Sequence, residues 1–370
     1  RDSDLVDESL GQGRIVRVRD NDGRDLGIAC ASTRSKIALR LCGSWPGDEV
    51  PTIEQFLTQR IERAIEMRKD RIEESSGQRL VHGEADQIPG LVIDRYADVL
   101  VVQATTILID RSLPIVAKIL ERIFQPRMIL ARNDLSIRKF ERLPEEVVLL
   151  AGEPVERVNI EENGIQHIVR PYAGHKTGMY LDQQPARKRV KDLAAGARVL
   201  DLFSYQGGFS MAALGGGATS VQMVDQSETA LELAQETALL NHFGAPEMIK
   251  GNVFDVIRDL RDQQQYYDLV VLDPPAFCKS RREVEGGIRG YRDLNRGALR
   301  LLAPGGRLVT CSCSHHLKAE LFEDTIRQAA LDLPFRVFVE QRLGSGRDHP
   351  ALLRLPETEY LKVRILRRWD

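Results

Sequence analysis

The stretch Arg198–Asp225, RVLDLFSYQGGFSMAALGGGATSVQMVD, constrains the fold more than any other part of the chain. Val199-Leu200-Asp201-Leu202-Phe203 is a short continuous apolar run, as expected for a parallel strand buried on both faces. Gly207 and Gly208 follow in a loop, then a helical stretch from Phe209 to Leu214, a second glycine cluster, and an apolar run closing on Asp225. This is a βαβ unit with its glycines at the carboxyl end of the first strand, where open α/β sheets bind ligands.

The loop decides between cofactor classes. Dinucleotide sites want G-x-G-x-x-G facing a pyrophosphate, whereas D-L-F-S-Y-Q-G-G-F-S has an acid at its head and no G-x-G. A carboxylate there suits a cationic ligand, and S-adenosylmethionine carries a sulfonium and an ammonium but no phosphate. Asp225, closing the second strand, is placed to accept from both ribose hydroxyls. A generic α/β turn remains the plain alternative for this stretch taken alone.

At 370 residues the chain is too long for one ordinary core, so two or three domains are expected. It starts at Arg1 rather than methionine, which reads as a missing N-terminal piece. Eighteen consecutive apolar residues occur nowhere, so no membrane span is expected. Five cysteines, Cys30, Cys42, Cys278, Cys311 and Cys313, form no paired framework and read as reduced and cytoplasmic. Cys311 and Cys313 lie near His315 and His316 but lack a second pair at zinc spacing, so no metal is expected. A net charge of −2 gives no global pull towards nucleic acid. Basic runs at Arg187-Lys188-Arg189 with Lys191, and at Lys279 with Arg281 and Arg282, are candidate local contacts or simply solvated faces.

In chain order, residues 1–45 read as a small β unit, with a turn at Asn21-Asp22-Gly23. A helix is expected from about Ile53 to Glu74, then a small α/β unit with strands at 90–94, 99–105 and 128–131 and a helix at 112–123. A hairpin turns at Glu162-Asn163-Gly164. From about residue 171 strand and helix alternate to the end, which predicts a doubly wound, Rossmann-like α/β fold. The expected division is 1–45, 46–170 and 171–370.

Three strand ends should converge on one sheet edge: the loop after Asp201, Asp273-Pro274-Pro275-Ala276-Phe277-Cys278, and Cys311-Ser312-Cys313-Ser314. Paired prolines make a rigid wall without backbone donors, suited to a planar base that Asp273 could hold. Asn252, in Gly251-Asn252-Val253, sits at a strand end where an amide could read an adenine edge. A cysteine at an open strand end suggests carbon methylation. Carbon 5 of cytosine is a poor nucleophile until a thiolate adds at carbon 6, whereas nitrogen methylation needs no thiol. Small buried hydrophobes are the plain alternative for both cysteines.

DLFSYQGGFS, VDQS, LDPPAFCKS and TCSCS, preceded by HKTGMYLDQ, occur in order along nearly the whole chain. The sequence thereby resembles the PUA-domain-containing 23S ribosomal RNA cytosine-5 methyltransferase family. The resemblance implies an N-terminally truncated PUA domain at 1–45, a linker helix and RNA-binding α/β middle domain at 46–170, and a class I methyltransferase domain using S-adenosylmethionine at 171–370. It implies Cys313 as nucleophile, in register from Gly305-Gly306, with Asp273 holding the cytosine. Cofactor contacts are expected from Asp201, Phe203, Ser204, Tyr205, Gly207, Asp225, Asn252, Val253, Asp273, Lys176 and Tyr180. Ala276 stands where related enzymes have a cysteine after Asp-x-Pro, which puts a product-release role for Cys278 in doubt. The expected partner is 23S ribosomal RNA or a large-subunit precursor, in the cytoplasm and away from membranes. The oligomeric state, a homodimer among the options, is left open. The rivals are a methyltransferase acting on a purine nitrogen and a catalytically silent RNA-binding or ribosome-assembly factor.

Overall fold

A computed structural model describes residues 12–32, 35–70, 76–278 and 280–370. Residues 1–11 of the expected PUA segment, the end of the helix expected to reach Glu74, and Lys279 and the Arg281 side chain of one basic run lie outside the described residues. The chain divides into two compact units. One holds the residues up to Glu161 with Val169–Leu181 and Arg347–Thr358; the other holds Glu162–Ile168, Asp182–Gly346 and Glu359–Asp370.

The first unit opens with an antiparallel three-stranded sheet, β1 (Gln12–Arg19), β2 (Asp25–Ser32) and β3 (Leu39–Leu41). Helix α1 (Ile53–Glu66) follows, its start set by a capping box in which Thr52 and Gln55 satisfy each other's backbone N–H groups. Five strands form a second sheet in chain order: β4 (Gly77–His82), β5 (Leu91–Tyr96), β6 (Val99–Ala104), β7 (Met128–Asn133) and β8 (Glu146–Gly152). Helices α2 (Ile107–Arg111) and α3 (Leu113–Phe124) make the crossover that lets β6 and β7 pair in parallel.

Three strands are too few to enclose a core, and the small sheet instead shares one. Ile15, Ile28, Cys30 and Cys42 are buried in the same cluster as Phe56, Leu57 and Ile61 of α1 and Leu91, Ile93 and Leu100 of the larger sheet. The other side of that sheet packs Tyr96, Val99, Val101 and Met128 against Val169, Met179 and Leu181. That packing draws residues 169–181 into the first unit, so the division differs from a single boundary at residue 171.

The same segment is fastened by buried polar groups. Asp94 takes two hydrogen bonds from Arg79 (2.8 and 2.9 Å) and one from the Thr177 hydroxyl (2.6 Å). The Tyr96 hydroxyl bonds Thr177 Oγ1 (2.9 Å) and accepts from the Met179 N–H (3.1 Å). The Arg79 backbone N–H donates to Asp348 (3.0 Å), tying in residues 347–358.

The hairpin β9 (Val158–Glu162) and β10 (Ile165–Val169) leads the chain into the second unit. There α4 (Gln184–Leu193), β11 (Arg198–Leu202), α5 (Gly208–Gly215), β12 (Ser220–Asp225), α6 (Glu228–Leu240), β13 (Glu247–Lys250), α7 (Val253–Asp262), β14 (Tyr267–Leu272), α8 (Val284–Arg300), β15 (Leu302–Ser312), α9 (Ala319–Ala330), β16 (Arg336–Leu343) and β17 (Lys362–Trp369) alternate as expected for α/β winding. The seven strands run β13-β12-β11-β14-β15-β17-β16, parallel from β13 to β15, with β17 antiparallel to both neighbours. Core clusters on both faces bury the central strands, which explains their unbroken apolar runs.

Removing Asp94 would strand the buried Arg79 guanidinium. Asp94→Ala is expected to destabilise the first unit by roughly 3–5 kcal/mol, read as lost hydrogen-exchange protection in β4–β7, while Arg79→Met with Asp94→Leu recovers most of that loss.

Candidate active site

The site is built at the carboxyl edge of the second unit's parallel strands. Asp201, on β11, is fully buried. Its Oδ2 accepts from the Ser210 hydroxyl (2.6 Å) on α5, while Oδ1 has no partner. Burial pushes its pKa up to about 7, with the Asp225 charge adding to the rise and the Ser210 bonds opposing it. Next in sequence, Phe203 (φ 62°) and Tyr205 (φ 48°) occupy the left-handed region that non-glycine residues avoid. Three bonds hold them there: Ser204 N–H to Val224 O (3.0 Å), Tyr205 N–H to Asp225 Oδ2 (2.8 Å), and Gly207 N–H to Ser204 O (2.8 Å). Gly207 has a φ of 74°, and a Cβ there would sit 2.8 Å from Met223 Cε and 3.0 Å from Ala234 Cβ. Only glycine fits.

Asp225 ends β12 with Oδ1 accepting from the Ser227 N–H and Oδ2 from the Tyr205 N–H, both at 2.8 Å. Each oxygen keeps a lone pair for a further donor. The exposed Asn252 caps α7, its Oδ1 accepting from the Phe254 N–H (2.9 Å), so only its NH2 end is free of that duty. Val253, the first residue of α7, is buried.

Across the sheet, Asp273 follows β14. Its Oδ2 accepts from Gln183 Nε2 (3.0 Å), and the same amide's oxygen lies 4.0 Å from Cys311 Sγ. Gln183 therefore links two of the three strand ends. Sequence reasoning had not singled it out; the signal was the polar pair Gln183-Gln184 ahead of a helix. Behind it, Arg187 is clamped by Glu162 in two bonds (2.6 and 2.7 Å), both side chains nearly sealed from solvent. This arginine belongs to a basic run that composition reads as surface; here it is internal, and its charge also acts on Asp182 and Asp273.

The two strand-end thiols separate sharply. Cys311 is fully buried, and burial, followed by the Asp273 charge, drives its thiol well above the ordinary range. Cys313 is half-buried, just past the end of β15. Cys278 is buried, its thiol raised first by desolvation, and its backbone N–H donates to Ser314 Oγ (3.2 Å). His315 stacks on Tyr360 with ring centroids 5.1 Å apart. Among the described residues no group of three or more His, Cys, Asp or Glu is arranged to hold a metal, and no helix is long and apolar enough to cross a membrane.

Lys176 and Tyr180 belong to the first unit, with the Lys176 ammonium 4.4 Å from the Tyr180 ring centre. The second unit thus brings together Asp201, Phe203, Ser204, Tyr205, Gly207, Asp225, Asn252, Val253, Asp273 and Cys313 of the expected set.

Those residues fit S-adenosylmethionine. Buried Asp201 Oδ1 and Ser204 Oγ both lack partners, and the glycine turn leaves room for close approach. The carboxylate acceptors suit an ammonium, a sulfonium and ribose hydroxyls rather than a pyrophosphate.

Comparison with known proteins agrees. A family profile described as S-adenosylmethionine-dependent methyltransferase matches residues 78–352. The protein named ribosomal RNA large subunit methyltransferase I from Aeromonas salmonicida is 38% identical over 361 residues, covering 96% of this chain and 90% of that protein. Its namesake from Vibrio cholerae is 38% identical, covering 95% and 89%. Among solved structures, a putative methyltransferase complexed with SAH superposes with a TM-score of 0.83 at 22% identity, covering 96% of this chain and 92% of that one. A putative SAM-dependent methyltransferase from Streptococcus mutans gives 0.82 at 21%, with the same coverage. At these identities the two structures speak for the fold.

Because the folded-state pKa of Asp201 lies above its unfolded value, its favourable contribution to stability is present at low pH and is lost as pH rises from about 4 through about 7. Asp201→Asn should melt several degrees above wild type at pH 8 in the cofactor-free protein, with the gap closing by pH 5. Its affinity for S-adenosylmethionine should drop about ten-fold or more, measured by calorimetry.

Proposed function

This chain belongs to the S-adenosylmethionine-dependent methyltransferase family, and from that premise we propose that it methylates carbon 5 of a cytosine in bacterial large-subunit (23S) ribosomal RNA. The observation that carries the carbon-5 reading is the contrast between the two thiols around the end of β15: Cys311 is sealed in the core, while Cys313, just past the strand, is half-buried at the open edge that also carries Asp273. A nitrogen methylase has no use for an accessible cysteine there. The ribosomal substrate is supported by relatives named for large-subunit RNA methylation along nearly the full chain.

When bound, S-adenosylmethionine supplies the methyl group from its sulfonium. Asp201, Ser204 and the glycine turn hold its amino-acid end, Asp225 its ribose, and Asn252 with Val253 the adenine side; Phe203 and Tyr205 shape the loop. Lys176 and Tyr180 stay in the proposed set on the family resemblance. Asp273, oriented by Gln183, holds the cytosine's polar edge. The Cys313 thiolate bonds to carbon 6, and the carbon 5–carbon 6 π pair moves onto the ring as an enamine. Carbon 5 then takes the methyl group and loses its proton. The double bond re-forms, the sulfur–carbon 6 bond breaks, and the thiolate is regenerated. A base inside folded RNA must leave its stack to reach such a site.

The β1–β3 sheet acts in this reading as part of an RNA-binding PUA domain, with phosphate contacts that make affinity salt-dependent. The substrate places the enzyme in the cytoplasm.

The test incubates wild type, Cys313→Ala and Cys311→Ala with tritiated methyl donor and unmethylated large-subunit RNA, followed by nucleoside analysis. Label should appear in 5-methylcytidine, fall at least about a thousand-fold with Cys313→Ala, and persist with Cys311→Ala. Label on a purine nitrogen that survives both changes would refute the reading, as would cofactor binding without transfer.

A further inference from the structure

Lysine is rarely buried without a carboxylate partner. Lys362 is only 6% exposed. It begins β17, paired across the ladder with Ser312, the residue preceding Cys313. Its ammonium donates to the carbonyl oxygens of Ser314 (2.7 Å) and Tyr360 (2.6 Å), both neutral acceptors. The backbone bond to Ser314 fixes the ammonium against the turn that carries the Cys313 thiol.

We propose that Lys362 is a positioning residue for the methyl-transfer reaction: a buried ammonium that pairs with the Cys313 thiolate and keeps it ionised at neutral pH. The inference rests on Cys313 being the reactive thiol.

The surroundings favour this role over a purely structural one. Burial lowers the Lys362 pKa to about 8, and the largest opposing influence is Cys313, followed by Cys278. Arg364 pushes it down further and Glu359 up. Glu323 on α9 is occupied by Arg364 of β17 (2.6 Å) and Arg342 of β16 (2.7 Å). On the α8 side the Tyr291 hydroxyl bonds Ser314 Oγ (3.0 Å) and Ser312 Oγ (3.1 Å), and desolvation raises its pKa. Tyr291 therefore stays neutral and offers the ammonium no anion. Across the strand end the Asp273 charge raises Cys311. Cys278 is buried and its thiol is raised. Glu359 is the weakest of these influences, and the half-buried Cys313 is the strongest one that favours the charged ammonium. A buried ammonium held beside a thiol favours the thiolate form.

The test reads thiol ionisation directly, without RNA or cofactor. Carbamidomethylation of Cys313 by iodoacetamide is followed from pH 6 to 9.5 by peptide mass spectrometry in wild type, Lys362→Gln and Lys362→Arg. Glutamine can still donate towards the Ser314 and Tyr360 carbonyls but has no charge. Its reaction midpoint should rise by about one unit or more, a loss of about ten-fold in rate at pH 7, while arginine keeps most of the wild-type rate. An unchanged midpoint in folded Lys362→Gln overturns the proposal. Should that variant not fold, the reciprocal measurement decides. Competitive acetylation of Lys362 should show a lower pKa in Cys313→Ser than in wild type, and an equal pKa overturns the pairing. The readout separates the two claims: label on a purine with a shifted Cys313 midpoint removes the cytosine reading alone, while 5-methylcytidine with an unmoved midpoint removes the ion pair alone.

Discussion

The parallel register of β11, β14 and β15 is the constraint on which the rest of the site depends. Leu202 pairs with Leu272, and Leu272 with Thr310, so the three strands reach their carboxyl ends in step. Everything chemical hangs from that common edge: the loop after Asp201, Asp273 one residue beyond β14, and the Cys311–Ser314 turn one strand further. A register slip of one residue in β15 would turn Cys311 and Cys313 to the opposite face and put a neighbouring hydroxyl residue, Thr310 or Ser312, in the buried place of Cys311. The apolar runs Val199–Leu202, Leu269–Leu272 and Leu308–Val309, buried on both faces, resist that slip because each residue has a packed neighbour on its own side.

The edge is assembled at a cost in stability. Asp201 is a carboxyl group in a fully buried place with one oxygen unpartnered, and two non-glycine residues, Phe203 and Tyr205, sit in a strained backbone region costing on the order of 1 kcal/mol each. Both features lie on the edge of the proposed cofactor site, and strain and perturbed polarity cluster at functional sites. Lys362 is a third unfavourable burial on the same edge. Gln183 works in the other direction, holding Asp273 through a bond between residues distant in sequence, and Arg187, clamped by Glu162, adds a charge that acts on Asp273.

Much of the second unit was legible in the sequence because its signals are local. Glycine turns, acid-terminated strands and the Asp-Pro-Pro wall occupy consecutive residues, and the apolar runs read at Val199–Phe203 and ending at Asp225 fall on β11 and β12 to within one residue. Other features were not local. β8 (Glu146–Gly152) lies at a sheet edge with Val147, Val148 and Leu149 exposed, so its EVVLLAG run carries no alternation to read. β4 was hidden because its GQRLVH stretch mixes charged and apolar residues that are nevertheless almost all buried, Arg79 by pairing with Asp94. Helix α8 begins at Val284 and runs through Gly286, Gly287 and Gly290, which carry no helix signal in the sequence. Arg187 and Lys362 look like surface residues in composition. Their burial follows from partners more than twenty residues away, Glu162 for one and Ser314 for the other, and no window of sequence shows such a pairing.

Covalent trapping tests the central claim, that a strand-end thiolate attacks a cytosine, most directly. Large-subunit RNA transcribed with 5-fluorocytidine would be incubated with the enzyme and S-adenosylmethionine. Fluorine at carbon 5 cannot leave as the proton does, so the sulfur–carbon 6 bond should persist through denaturing electrophoresis and map by mass spectrometry to Cys313. An adduct mapped to Cys278 or Cys311, or turnover of unmodified RNA to 5-methylcytidine with no trapped species, would contradict the account.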